Sequence, residues 1–344
     1  MSEGTLKPLI IPIFIPNAGC PHRCIFCDQE RITSQHGAGI GGDQIREVLN
    51  TAINAGGFDV RRSPEVAFFG GTFSSLPKDR MRGLLDSVMP YIGKGYIRSI
   101  RVSTRPDCLD NERLEIMKTH GVETVELGAQ SMDDEVLSLS HRGHTAQDTV
   151  RAVHALKAGR FRVGIQLMPG LPGDSEKKFR ATISKVIDLC PDMVRLYPAL
   201  VIRGTGLEGM YREGRYCPLS LQKGVEICVE SCIRLETNGI PVIRIGLMSS
   251  PTLLEKGQIV SGPWHPAFGF LVRSAIHEKK IRPDLPGPGG ASELVIFAPK
   301  REIPLVRGFR NRGLRAIEAK TGARVVGVRP DDTLPAGTVR IEKI

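Results

Sequence analysis

The sequence predicts an α/β protein: a partial (β/α)6 TIM-like barrel followed by a small C-terminal α+β domain. Two observations carry this. Short β-rich apolar runs bounded by Gly or Pro alternate with longer amphipathic stretches, the pattern of repeated β/α units around a parallel sheet. The composition then changes near Gly262–Pro266 and again at Pro283–Gly290 (PDLPGPGG), a stretch too rich in Pro and Gly to continue a regular element. The boundary is placed after Ser261, giving a barrel over residues 1–261 and a second domain over 262–344. A chain of 344 residues has room for both, at roughly 150 residues per domain.

Strands are predicted at Pro8–Ile15, Glu65–Phe69, Ile100–Ser103, Thr124–Leu127, Arg162–Leu167, Val194–Tyr197 and Val242–Ile245, with helical patterns in most intervals. In Thr145–Ala158, for example, Val150, Val153, Ala155 and Leu156 recur at roughly helical spacing, and Thr145 is the candidate N-cap. Seven strands with helical crossovers fit a complete or partial barrel better than an open sheet. Beyond the boundary, Ala267–Lys280 reads as a helix, Leu294–Phe297 as a strand and Leu314–Thr321 as a helix. Arg324–Val328 and Thr338–Ile341 follow as strands.

Hydrophobic residues at 41% and charged residues at 24% exclude collagen, coiled coil and wholesale disorder. The longest apolar run, Pro8–Pro16, is broken by prolines and far short of the roughly 20 residues of a membrane span. Met1–Lys7 leads into a strand-like run without the features of a signal peptide. A cytoplasmic protein with no membrane partner is therefore expected, and its eight cysteines are expected as thiols or metal ligands, not disulfides. The net charge of +10 favours polyanionic partners.

Straight after the first strand, AGCPHRCIFCDQE places Cys20, Cys24 and Cys27 in a C-x3-C-x2-C spacing on a polar loop, where three thiolates can converge on one metal centre. Zinc needs a fourth protein ligand, from His22 or a distant cysteine. An iron–sulfur cluster on three cysteines leaves one iron open to a substrate or cosubstrate. Four further segments put polar residues at successive strand ends. AFFGGTF carries Gly70, Gly71 and Thr72; STRPD carries Ser103, Thr104 and Arg105; ELGAQS carries Glu126, Gln130 and Ser131; GIQLMPGLPG carries Gln166, Met168, Gly170 and Gly173. HRGHT, with His141, Arg142 and His144, follows the fourth strand; Arg142 has as its plain alternative a surface ion pair with Asp133 or Asp134. Polar residues at the C-terminal ends of consecutive strands are what a barrel active site requires.

With Phe26 at the aromatic position, the cysteine loop resembles the C-x3-C-x-aromatic-C signature of the radical S-adenosylmethionine (SAM) superfamily. From Pro12 to His265, and most specifically in VELGAQS, RGHT and MPGLPG, the chain is similar to the Elp3 branch, the Elongator catalytic-subunit family, with wider similarity to oxygen-independent coproporphyrinogen oxidases. The resemblance implies a 4Fe-4S cluster on Cys20, Cys24 and Cys27 whose open iron binds SAM. An electron from a reductant such as flavodoxin or ferredoxin then cleaves SAM to methionine and a 5′-deoxyadenosyl radical. It further implies SAM contacts from Phe26, Gly70, Gly71, Thr72, Ser103, Gln130, Arg142 and Gln166, with the Arg142 fork on the SAM carboxylate. The implied substrate is tRNA or another RNA. Other readings are a radical enzyme for a small metabolite such as a tetrapyrrole, or a non-catalytic iron–sulfur or RNA-binding protein. Elongator-type enzymes carry a C-terminal acetyltransferase domain, for which the roughly 80 residues after the barrel are too few.

Those residues have their own pattern. LVRGFRNRGLRAIEAKTGARVVGVRPDD, read as strand, basic glycine-bearing loop, helix and strand, resembles a KH module, although Gly308 and Gly313 stand four residues apart where a GXXG loop has two between. Arg307, Arg310, Arg312 and Arg315 are the candidate RNA contacts. From Lys300 to Ile344 there are eleven Lys and Arg against five Asp and Glu. A dimerisation or lid domain with a solvated basic face is the alternative. Cys228 and Cys232, four apart on a helical pattern with Val225, Ile227, Val229 and Ile233, read as buried packing and not as a second metal site.

Overall fold

The computed structural model describes residues 8–34 and 40–344; Met1–Lys7 lies outside them. Two compact units are separable. One runs to Ser220 and resumes over Leu235–Trp264; the other comprises Leu221–Arg234 and His265–Ile344.

The first unit is built on a seven-stranded parallel half-barrel. Its strands are β1 (Ile10–Phe14), β2 (Glu65–Phe69), β3 (Ser99–Thr104), β4 (Val122–Gln130), β5 (Arg162–Leu167) and β6 (Met193–Leu196), in that spatial order, with β8 (Val242–Ile245) beyond β6. Between β6 and β8 the chain adds β7 (Val201–Ile202), which pairs antiparallel with β9 (Ile259–Ser261). Helices return the chain between strands: Lys78–Asp86 after β2, Asn111–Thr119 after β3, Ala146–Ala158 after β4 and Glu176–Leu189 after β5. Their starts are set by side chains that satisfy the free N–H groups of a first turn. Thr145 accepts from the Asp148 N–H while Asp148 accepts back from the Thr145 N–H, and Ser175 and Asp110 cap their helices singly.

Strand alternation sorts the side chains. Val66 and Phe68, Ile100 and Val102, Val125 and Leu127, and Val163 and Ile165 are fully or almost fully buried. Each such side chain contributes about 1.5–3 kcal/mol on leaving water. The intervening positions carry Glu65, Arg101, Ser103, Glu126, Gln166 and Arg195, so one face of the sheet is polar although most of it is also shielded from water. Among the described residues no helix is long and apolar enough to cross a membrane.

The second unit packs the helices Phe268–Ile281, Ile303–Arg307 and Arg312–Thr321 with a three-stranded sheet. Its strands are β10 (Glu293–Ala298), β11 (Arg324–Pro330) and β12 (Arg340–Lys343), with β10 central, parallel to β11 and antiparallel to β12. Leu294, Ile296, Val306, Ile317 and Ala323 form its core. The segment leading into the basic loop, read above as a strand, is the helix Ile303–Arg307: Pro304 sits in its first turn, where a missing N–H costs nothing. The nearest strand, β10, ends before it at Ala298.

Candidate active site

The loop after β1 holds the three cysteines, all half-buried, and each sulfur meets a different polar partner. Thr72 Oγ1 lies 3.3 Å from the Cys20 sulfur, the Arg142 guanidinium donates to the Cys24 sulfur at 2.8 Å, and Gln29 Nε2 donates to the Cys27 sulfur at 3.5 Å. Burial, and then the neighbouring Cys24 sulfur, push the Cys27 thiol up to about 12. Phe26 packs away from water on the same loop. It is buried with Ile25, Val136, Leu171 and Tyr216 in an apolar cluster against which Cys24 and Cys27 pack.

Gly70, Gly71 and Thr72 lock onto this loop. The Thr72 N–H donates to the Ala18 carbonyl at 2.8 Å and the Asn17 N–H to the Gly70 carbonyl at 2.8 Å. A Cβ at Gly71 would stand 2.4 Å from the Ala18 oxygen; one at Gly19, where φ is +73°, would stand 2.3 Å from the Thr72 oxygen. Two stretches of main chain thus touch through reciprocal glycines, and the closest neighbour of the Gly-Gly turn is the cysteine loop itself.

Arg142 is buried, and no carboxylate pairs with it among the described residues. Its remaining terminal nitrogen donates to the Gly128 carbonyl, and Nε has no partner among the described residues. Asp133 and Asp134, its sequence-level ion-pair candidates, are used elsewhere: Asp133 caps the next helix and faces Lys178, and Asp134 accepts from the Ala146 N–H. His22 Nε2 lies 2.9 Å from the Arg142 carbonyl and 3.1 Å from Arg105. Arg105 is buried and forms a two-point ion pair with Asp107. A Cβ at Gly143 would strike the His22 ring at 2.3 Å, so the glycine of RGHT makes room for that ring. Burial, reinforced by Arg142, pushes the neighbouring His144 down to about 4.

On the polar face of the sheet, Arg101 donates to Glu65 at 2.6 Å and to Glu126 at 2.6 Å, and Arg195 meets Glu126 at 2.7 Å and Tyr197 Oη at 3.0 Å. Burial opposes the charge on Arg195, but Tyr197 and Glu126 more than restore it and raise its pKa. A Cβ at Gly164 would stand 2.9 Å from Glu126 Cγ, so β5 needs a glycine opposite that side chain. At the end of β4 the ladder to β5 is irregular between Leu127 and Gln130, and Gln130 takes φ +67°. There its Oε1 accepts from Gln166 Nε2 at 3.2 Å. Ser103 is half-buried on the same strand face as Arg101.

The structure therefore brings the three cysteines, Thr72, Arg142 and Gln29 together, and links Gln130 to Gln166. Sequence reasoning missed the Arg101, Glu65 and Arg195 ion network, the His22–Arg105–Asp107 chain and Gln29. Charged residues at every second position of otherwise apolar strands were the available signal for the first. Arg307, Arg310, Arg312 and Arg315 belong to the second unit.

Three soft sulfur donors with separate partners suit an iron–sulfur cluster, which takes each cysteine at a different iron. His22, the candidate fourth ligand for zinc, has its Nε2 engaged by Arg142 and Arg105.

A parallel half-barrel with three cysteines on the loop after its first strand defines a class of iron–sulfur enzyme. The Radical SAM superfamily model matches residues 14–186 and the Radical_SAM C-terminal domain model residues 191–278. The chain belongs to the radical SAM superfamily of enzymes, and its relatives include Elp3-type proteins over part of their length. It is 30% identical over 269 residues to an uncharacterized protein of Methanocaldococcus jannaschii, covering 74% of this chain and 79% of that one. It is 40% identical over 129 residues to the tRNA uridine(34) acetyltransferase of Methanocaldococcus infernus, covering 37% of this chain and 24% of that one. The chain thus spans about a quarter of the length of these acetyltransferases. The fold is that of the archaeal Methanocaldococcus infernus Elp3 with an N-terminal deletion, at a TM-score of 0.60 and 23% identity over 79% of this chain and 64% of that one. Membership of the family implies a 4Fe-4S cluster and SAM.

Proposed function

We propose that this chain is a radical SAM enzyme that modifies tRNA, with Cys20, Cys24 and Cys27 as the ligands of its cluster. The observation that carries the reading is the cysteine loop: three sulfurs, each met by a different polar partner, seated through reciprocal glycines on the turn after β2. A bound cluster supplies the electron that cleaves SAM to methionine and a 5′-deoxyadenosyl radical; the protein binds, orients and shields. Gly70, Gly71 and Thr72 fix the loop. Gln130, held by its left-handed backbone, and Gln166 share a hydrogen bond at the ends of β4 and β5; these and Ser103 are assigned to SAM. Arg142 reaches the site through Cys24, and its contact with the SAM carboxylate is assigned on the family resemblance alone. The electron comes from an external donor of the flavodoxin or ferredoxin class. For RNA as substrate, the support is the named activity of the tRNA uridine(34) acetyltransferases and the net charge of +10.

The test is anaerobic reconstitution followed by counting iron and sulfide, then incubation with dithionite and SAM. Four irons per chain and release of 5′-deoxyadenosine are expected, both lost in a Cys20→Ala, Cys24→Ala, Cys27→Ala variant. A stoichiometric zinc ion in place of iron overturns the reading. For the substrate, nucleosides from tRNA of cells with and without the gene are compared; identical profiles remove tRNA.

A further inference from the structure

The second unit carries a surface that the barrel chemistry does not use. The helices Ile303–Arg307 and Arg312–Thr321 meet at a tip, Gly308–Asn311, and are held close there: a Cβ at Gly313 would lie 2.2 Å from the Val306 oxygen, and one at Gly308 2.7 Å from the Gly313 nitrogen. Around the tip Arg307, Arg310, Arg312 and Arg315 are all exposed, and among the described residues none forms an ion pair. By contrast Arg340 of the same unit is paired with Asp331 and Glu342. Phe309, on the same tip, has 37% of its surface exposed. Its ring meets His265 edge-on at 4.7 Å and lies 5.4 Å from the Arg310 guanidinium. Arg310 and Asn311 both hold left-handed backbone, at φ +52° and +60°, which side chains other than glycine adopt only at a cost. The helix that follows starts without a side-chain cap, leaving its first N–H groups beside the arginines.

Four unpaired guanidinium groups call for several phosphates, and an exposed aromatic ring on a narrow tip calls for a flat partner. A duplex hides its base faces in the stack; a single strand offers both phosphates and free bases. We propose that the Arg307–Arg315 tip grips single-stranded RNA, with Phe309 stacking on a base and the arginines holding the flanking phosphates. The choice of RNA rests on the function proposed above; the single-strand preference rests on the tip alone.

The test is fluorescence anisotropy of the intact protein with a labelled single-stranded RNA, the same sequence as duplex RNA, and its single-stranded DNA counterpart, across a salt series. Single-stranded RNA is expected to bind tightest. Phe309→Ala should weaken it about 5- to 150-fold, the range for loss of one base stack, and Phe309→Trp should restore it. Arg310→Ala with Arg312→Ala should reduce the slope of log affinity against log salt by about 1.4, at about 0.7 per phosphate contact on a single strand. Duplex RNA or DNA binding as tightly as single-stranded RNA overturns the proposal, as do variants that bind like the parent. Release of 5′-deoxyadenosine without RNA is measured separately: its absence removes the catalytic reading and leaves the grip standing, whereas unchanged RNA binding by the variants removes the grip and leaves the catalysis.

Discussion

One methyl group placed at Gly71 measures how firmly the cysteine loop is seated. The added Cβ would stand 2.4 Å from the Ala18 oxygen, 2.7 Å from the Ile15 oxygen and 3.1 Å from the Ala18 nitrogen. All three are main-chain atoms, so no side chain can swing aside, and reaching ordinary contact requires the loop to retreat by about 1 Å. Overpacking of this kind costs about 1–3 kcal/mol. The retreat also strains the hydrogen bond from the Thr72 N–H to the Ala18 carbonyl, worth about 0.5–1.5 kcal/mol. Gly71→Ala is therefore expected to destabilise the barrel unit by about 2–4 kcal/mol and to lower iron uptake, since the displaced strand end carries Cys20. Gly83→Ala is the control of opposite sign. Gly83 is exposed inside the helix Lys78–Asp86, its Cβ position has nothing within 4 Å, and alanine there should stabilise by about 0.5–1 kcal/mol. Anaerobic denaturation curves with iron counts after reconstitution decide the matter. A Gly71→Ala protein with the parent's stability and full iron content would refute the reciprocal-glycine account of the site.

Removing Arg101 leaves Glu65 and Glu126 buried without their shared cation, so Arg101→Ala should cost about 3–5 kcal/mol in urea unfolding; a loss below 1 kcal/mol would show that the network is solvated. Arg142→Gln removes the guanidinium donor to the Cys24 sulfur, and the reconstituted cluster should then titrate at a more negative potential in an EPR-monitored redox titration, because donors to cluster sulfurs favour the reduced state. His144 titrates near 4 when folded, against an ordinary 6.5, so the unfolded chain binds its proton more readily and stability should fall as pH drops from 6.5 towards 4. Asp174, raised to about 6 by burial, acts in the opposite direction, its contribution falling as pH rises from 3.8 through 6. Between about pH 4 and 6 the two nearly offset each other in the parent, so His144→Gln should unmask a denaturation midpoint that rises as pH falls across that window, and an unchanged profile would remove His144 as the opposing group.

Much of this was legible in the chain because its punctuation is strong. Strands β2, β5 and β8 lie where the apolar runs and their flanking Gly, Pro and polar residues put them. The longer extent of β4 was not legible, since Gly128 and Gln130 look like a turn. They extend the strand through a bulge, and the left-handed Gln130 then directs its amide towards Gln166. The antiparallel pair β7 and β9 is too short to leave a periodic trace. Ile303–Arg307 misled because Ile303, Leu305 and Val306 suit a strand, and only packing of Val306 into the second unit's core decides for a helix. In the site, spacing exposed the cysteines but not their partners. The contacts from Arg142 to Cys24 and Thr72 to Cys20 span 118 and 52 residues of sequence, and no local pattern encodes them.

The polar face of the half-barrel divides by what its groups still have to give. Glu65, Arg101, Glu126 and Arg195 form a closed set, two anions against two cations, each partnered within a few ångströms, with all but Arg195 almost out of reach of water. Such a set is rigid and self-neutralised, and leaves little charge with which to select a ligand. The groups at the strand ends differ: Gln130 and Gln166, at the ends of β4 and β5, share one hydrogen bond and keep further amide donors and acceptors, and Ser103, near the end of β3, stays half-buried. What binds beside the cysteines thus meets the sulfurs, neutral hydrogen-bonding groups and Arg142, which has no carboxylate partner among the described residues, over a charged layer that holds the strands in place. A charged substrate gains little from that layer and must be gathered elsewhere on the molecule. On the grip proposed above, the unpaired arginines of the second unit would gather a polyanion, and losing them should weaken capture of RNA while leaving the hydrogen bonds around the cysteines intact.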